Sequence, residues 1–296
     1  ALYALVLLFL IPLCAFGQQG GEEEQGEGNL LPPTVTERVQ IAVTAGDYPV
    51  TPGDQYVLIY QQSLERITLD AVVESDGSLN LGLFGTVETT GLTLPELQSR
   101  VEGLVQDAYQ NSFPQFRLRT PALYEVSLTG AIDRSRRVRV WAFTRLSELY
   151  LQTATPLTSM REIHVTDRSG RRRSYDLFRA LQLGDSSQDP RIRLGDRVEF
   201  LPREKSVRVS GAVRRPGQYE LKNTENLSFL LETMAGGFTS AADTERVQIL
   251  RGPQEGEALR ISYPEERRTS LQDLDRVVVP SLEERLPMVY LDGALA

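Results

Sequence analysis

Alternating apolar and polar positions recur three times along this chain at nearly constant spacing. Val126-Ser127-Leu128-Thr129-Gly130-Ala131 returns as Val207-Arg208-Val209-Ser210-Gly211-Ala212, and again as Val289-Tyr290-Leu291-Asp292-Gly293-Ala294, at intervals of 81 and 82 residues. A period of two is that of a half-buried strand, and the closing glycine permits a turn. A helical period repeats in the same frame: the segment Leu146–Thr153 lies 81 residues before Leu227–Met234. There Leu227, Leu230, Leu231 and Met234 fall at i, i+3, i+4 and i+7, one face of a helix, and Gly236-Gly237 supplies a left-handed stop. A third landmark, Leu194-Gly195-Asp196-Arg197-Val198, is matched by Leu274-Asp275-Arg276-Val277, 79 residues on.

Three matches in order predict a duplicated unit: strand, turn, strand, short helix, then strands at 163–165 and 197–201, or at 247–250 and 276–279. One helix on a small mixed sheet is a β-grasp-like α+β module. Such units bury little core alone, so neighbours are expected to pack on one another. The third copy stops after ten residues, which predicts a fragment or an end that joins another subunit.

Residues 43–120 follow another pattern. A turn cluster, Tyr48 to Asp54, leads into the apolar run Tyr56–Tyr60. The segment Val72–Leu79 reads as strand–turn–strand with Asp76-Gly77 at its tip. Thr93-Leu94-Pro95-Glu96 is a capping box with Pro in the first turn. It opens a helix whose Leu97, Val101, Leu104, Val105 and Ala108 form one apolar face. Asn111 and Pro114 end it, and Gln115–Arg119 alternates again.

The start of the chain is different material. Residues 1–21 carry no charge, and the run Leu5–Ile11 is too short to span a bilayer of ~30 Å comfortably. With Ala15 and Gly17 at the −3 and −1 positions of a cleavage site, it reads as the core of a secretory signal whose basic leader is missing. A buried core helix is the bland alternative. The sole cysteine, Cys14, is a candidate lipidation site, although Leu13 stands where a lipobox wants Gly, Ala or Ser. Residues 18–36, rich in Gln, Gly and Glu, read as a tether.

Composition then narrows the chemistry. The chain has 296 residues, 32 basic against 40 acidic, for a net charge of −8. That balance argues against nucleic acid as a partner, which needs a basic field. One Cys and one His exclude an internal disulfide and a Cys/His zinc site. No catalytic, metal or cofactor site stands out, and no Asp/Glu pair suggests a glycosidase. His164 alternates with Ile163 and Val165 and so faces away from them. Asp54, Asp196 and Asp275 stand at turns, where a carboxylate caps backbone N–H groups. Arg168 with Arg171, Arg172 and Arg173 forms a basic loop, read as a solvated hairpin tip or as a contact for an acidic glycan or an acidic neighbouring subunit.

The ordered set Pro52-Gly53-Asp54, Asp76-Gly77 and Gly91-Leu92-Thr93 resembles the N-terminal export domain of the bacterial outer-membrane polysaccharide export family. The repeats look like its soluble-ligand-binding β-grasp (SLBB) domains. The second copy matches better, through Gly211-Ala212-Val213, Pro216-Gly217, the Leu227 helix and Gly236-Gly237. The first has no Pro-Gly and carries Thr155-Pro156 in place of the glycine pair.

The resemblance implies an α+β chain with a signal peptide at 1–17, a flexible acidic linker at 18–43 and an export domain at 44–122. A degenerate SLBB repeat would follow at 123–204, a second at 205–286, and a third copy or terminal strand at 287–296. It further implies a non-enzymatic, periplasmic and outer-membrane-associated ring subunit for capsule or exopolysaccharide export. Polysaccharide, further copies of the chain and an inner-membrane polysaccharide co-polymerase would be its partners, with no cofactor. No amphipathic helix to cross the outer membrane is read in 286–296. The alternative is a periplasmic glycan- or ligand-binding adaptor without a channel. A third reading is a secreted polysaccharide hydrolase or lyase.

Overall fold

The computed structural model describes residues 33–251, 258–263 and 265–285. The signal at 1–17 with Cys14, and the third copy at 287–296, lie outside the described residues.

The stretch expected as a linker over 18–43 is helical from Val35 onward. Thr34 caps a helix, α1 (Val35–Ala45), donating its N–H to Glu37 Oε2 at 2.8 Å. Arg38 and Ala42 on this helix are buried. Arg38 Nη1 donates to the carbonyl of Pro121 at 2.9 Å, which ties the helix to the end of the first sheet. The acidic stretch masked the helix because α1 offers only two buried positions.

Three antiparallel strands, β1 (Gln55–Gln62), β2 (Glu65–Val72) and, later in the chain, a strand at Gln115–Thr120, form the first sheet. A small pair, β3 (Ser78–Asn80) and β4 (Thr86–Glu88), lies beside it. Helix α2 (Leu94–Ala108) precedes the Gln115 strand, β5. Its buried stripe is Leu94, Leu97, Val101 and Val105. Leu104 and Ala108, expected on that face, are exposed: Leu104 lies at the edge of the stripe, and Ala108 lies within its arc but is the last residue of the helix. Tyr56 and Phe116 stack across β1 and β5 with ring centroids 4.8 Å apart.

The rest of the described chain repeats one layout. In the first copy, β6 (Tyr124–Gly130), β7 (Arg136–Val140), α3 (Leu146–Thr153), β8 (Thr158–Thr166), β9 (Arg172–Tyr175), α4 (Leu177–Leu183) and β10 (Arg197–Pro202) follow in order. The second has β11 (Lys205–Gly211), β12 (Gly217–Leu221), a helix, β13 (Val247–Leu250), β14 (Leu259–Ile261) and β15 (Arg276–Val279). Their sheets run β7-β6-β10-β8-β9 and β12-β11-β15-β13-β14. Numbered within each unit, both orders are 2-1-5-3-4, with the first and last strands parallel at the centre. The fold is α+β, and the two units share one β-grasp-like topology.

Leu149 and Leu230, counterparts in the two units, are both fully buried beneath their sheets. The helices themselves differ. The second is a π-helix over Phe229–Met234, in which Ala235 N–H reaches back five residues to Leu230 O at 2.8 Å. Its counterpart Ala154 reaches back four, to Tyr150 O, at 2.8 Å. A π-turn admits one more residue per turn, and Leu227, Leu230, Leu231 and Met234 all remain buried.

The units are joined to their neighbours by side chains rather than by linkers. Trp141, just past β7, packs into the core of the first sheet, and Phe143 meets Tyr48 edge-on at 5.6 Å. Between the two repeats stands Arg161, 2% exposed. Its Nε lies 3.0 Å from Asp176 in its own unit, and its Nη2 lies 2.7 Å from Glu225 in the next. Nη1 donates to the carbonyl of Glu220 at 3.0 Å, while Phe178 and Phe229 cover the guanidinium from either unit. The Glu220 carboxylate accepts the Ser159 hydroxyl and, at 3.0 Å, the Met160 N–H.

Candidate functional site

Most of the motif residues build turns. Asp54 is fully buried and accepts N–H groups from Thr51 at 2.9 Å and Ala122 at 2.7 Å, and the Tyr48 hydroxyl at 2.8 Å. Burial raises its carboxyl above the ordinary range against the pull of these donors. Pro52 and Gly53 (φ 94°) complete the turn, with Gly53 N–H on Val73 O at 2.8 Å. Asp196 and Asp275 make the same contact, each accepting the N–H three residues back at 2.8 Å. Asp76 accepts Ser78 N–H at 2.9 Å. Gly77 has φ 87° and Gly91 φ 79°, and Thr93 N–H donates to Glu96 Oε2 at 2.7 Å.

In the second repeat, the motif glycines bring two loops together. Gly211 (φ 86°) ends β11, and Ala212 N–H donates to Val279 O at 2.7 Å. Gly236 and Gly237 are left-handed at the helix end. Arg214 N–H donates to Gly237 O at 3.0 Å and Arg215 N–H to Ala235 O at 2.9 Å. The Arg215 side chain reaches Thr233 O at 3.1 Å, placing a cation where the helix carbonyls end. Pro216 and Gly217 are exposed at the start of β12. In the first repeat Arg136 donates to Gln152 O at 3.1 Å, the position that corresponds to Thr233. There the loop and helix end leave a cavity of about 210 Å³.

The basic loop does not act as one patch. Neighbouring residues on a strand point to opposite faces, so β9 divides its arginines. Arg172 lies on the outer face, paired with Glu199 at 2.6 Å and touching His164, whose Nε2 is 3.0 Å from Glu162. Arg168 packs its stem at Gly195. Arg171, Arg173 and Tyr175 line a cleft with Val165, Asp167, Pro190, Arg191, Arg193 and Asp196, about 280 Å³ in volume. Arg191 and Arg193 flank the buried Ile192 and form the facing wall. A lone Arg-Ile-Arg offered no sequence signal, because its meaning depends on that wall lying across from β9.

The cleft holds four guanidinium groups and two carboxylates, and both carboxylates are occupied by their own turns. Asp167 accepts Ser169 and Arg171 N–H groups at 3.0 Å. The Ser169 hydroxyl, followed by the Arg171 donors, holds its carboxyl down to about 2. Asp196 accepts the Arg193 N–H, and burial raises its carboxyl. Arg171 also reaches Asp167 at 3.0 Å. Arg191 bridges to Asp47 at 2.9 Å and lies 4.0 Å over the Phe143 ring. Among the described residues, the Arg173 and Arg193 guanidiniums form no hydrogen bond or close ion pair, while the Arg193 charge acts at longer range on the Asp196 carboxylate. Such forks suit a planar carboxylate.

Among the described residues, no helix is long and apolar enough to cross a membrane, and no group of three His, Cys, Asp or Glu side chains could hold a metal ion. A search of curated proteins finds no match to the chain. Residues 206–262 match the SLBB domain family. The match covers β11 through β14 with the π-helix between them, the part of the chain where the loop at Arg214 closes on Gly236 and Gly237. Residues 206–262, within the second repeat, are therefore an SLBB domain, a module that occurs in polysaccharide export proteins.

Proposed function

We propose that this protein is a non-enzymatic subunit of a polysaccharide export conduit, exported to the periplasm and associated with the outer membrane. Residues 44–122 would serve as its export domain and 123–204 and 205–286 as tandem SLBB repeats. Copies of the chain would close into a ring and receive polymer from an inner-membrane co-polymerase.

The observation that carries this reading is the buried Arg161 contact between two units of identical topology, the second of them an SLBB domain. A guanidinium held from both sides fixes the relative angle of the units. A fixed angle gives every copy the same lateral surfaces at the same heights, the condition for head-to-tail contacts that close into a ring. Transport then follows from geometry: a wide, wet channel passes a hydrated chain without a reaction.

Deletion of the coding sequence in the producing cell tests this. Loss of surface polysaccharide, with polymer still synthesised inside, is expected. An unchanged amount of surface polysaccharide would contradict the reading.

A further inference from the structure

We propose that the cleft between β9 and residues 190–196 binds the carboxylate of an acidic sugar, a hexuronate unit of the exported glycan. This deepens the export reading and rests on it for the identity of the polymer.

The recess carries an excess of positive charge. In a chain of net charge −8, this recess is lined by four arginines and two aspartates. The aspartates are taken by backbone N–H groups of their own turns. Arg173 stands directly across from Val165 in the β8–β9 ladder, on the core-facing side of an edge strand. Arg193 comes from the opposite wall. An anion between them meets two forks from two directions, with Tyr175 and Pro190 also lining the recess.

Size selects the ligand. At about 280 Å³ the recess falls below the roughly 300–1,000 Å³ of sites for drug-sized molecules, and one sugar ring suits it. A subunit contact needs on the order of 1,000 Å² of matched surface, which a recess of this depth does not supply by itself. The cleft is open, so a longer chain could enter and leave at its ends. Exposed guanidiniums give weak, salt-sensitive attraction, as a conduit requires of a polymer that must keep moving.

The test uses the full-length protein and trigalacturonate as probe, with a neutral galactose trisaccharide of equal length as control, by calorimetry at low salt. Trigalacturonate should bind and the neutral sugar should not. Arg173→Ala and Arg193→Ala should each weaken binding about tenfold, the scale of a charge-assisted hydrogen bond. Arg173→Lys keeps the charge but loses the fork, and should fall between. Arg208→Ala, on an exposed position of β11, should leave binding unchanged. Equal binding by all variants, or an equal loss with Arg208→Ala, would overturn the proposal. So would an altered oligomer mass in Arg173→Ala with unchanged affinity, which would make the cleft a subunit contact. A monomer that still binds trigalacturonate through Arg173 and Arg193 would refute the ring and leave this site standing.

Discussion

Gly130 and Gly211 occupy the same place in successive units, each pressed against the parallel strand that completes its sheet. A Cβ on Gly130 would lie 2.0 Å from the carbonyl oxygen of Phe200, and one on Gly211 would lie 2.1 Å from that of Val279. Both also have positive φ, 94° and 86°. The repeated glycine thus does more than permit a turn. It lets the first and last strands of the unit meet. Either Gly→Ala change should cost more than about 2 kcal/mol, since left-handed backbone alone costs roughly 1–2 and the overlap adds to it. Gly237 has φ 89° but nothing within 4 Å of a Cβ, so Gly237→Ala should cost only the backbone share. Chemical denaturation of the three variants checks the ordering.

Gly195 and Leu274 make a second pair. Both precede the capping Asp of the last strand, with φ of 92° and 64°, and Gly53 holds the same place before Asp54 at 94°. Leu274 is therefore a leucine at a glycine position, and it is 59% exposed. Leu274→Gly relieves roughly 1–2 kcal/mol of backbone strain against about 0.5–1 of added chain entropy. A small rise in unfolding temperature is the expected result. A fall would mean that the leucine packs against something.

Arg161 carries the coupling between units. Replacing one partner of a buried ion pair costs about 3–5 kcal/mol, because the other charge stays buried without its partner. Arg161→Ala leaves Asp176 the Lys222 ammonium at 3.5 Å and the half-buried Glu225 the Lys222 N–H at 2.9 Å, so the loss should fall toward the lower end of that range and should separate the unfolding of the two units. Calorimetry should then show two transitions where the parent shows one. A single transition at the parent temperature would remove Arg161 from the account.

The turn at Asp167 has a pH signature. Its carboxyl lies at about 2 against an ordinary 3.8, chiefly through the Ser169 hydroxyl. A depressed value means that the turn's stabilisation is full above the ordinary value and lost as pH falls through about 2. Carboxyl NMR titration should find that midpoint in the parent, and Ser169→Ala should move it toward 3.8. A parent midpoint near 4 would contradict the geometry.

The duplication was legible because strand alternation, helix period and turn glycines all repeat in one frame, and each follows from local chemistry. The turn roles of Asp54, Asp196 and Asp275 were readable for the same reason. Helix α1 was not, since a helix that buries only Arg38 and Ala42 leaves almost no apolar stripe. The 79-residue spacing of the last landmark sets Leu274 on Gly195, and the backbone agrees, with positive φ at both. The cleft was half-visible. Alternation sends Arg172 away from Arg171 and Arg173, but the wall of Arg191 and Arg193 comes from a segment some twenty residues on, and only the folded chain brings it near. Arg161, Asp176, Glu220 and Glu225 had no pattern at all, being single residues from separate strands and loops.

The proposed export conduit requires that copies of this protein close into a ring. The most direct measurement is the mass of the full-length protein in mild detergent at low salt, with images of the same particles. A closed oligomer with a central opening that loosens as salt is raised is expected. A strict monomer across the micromolar range would contradict it.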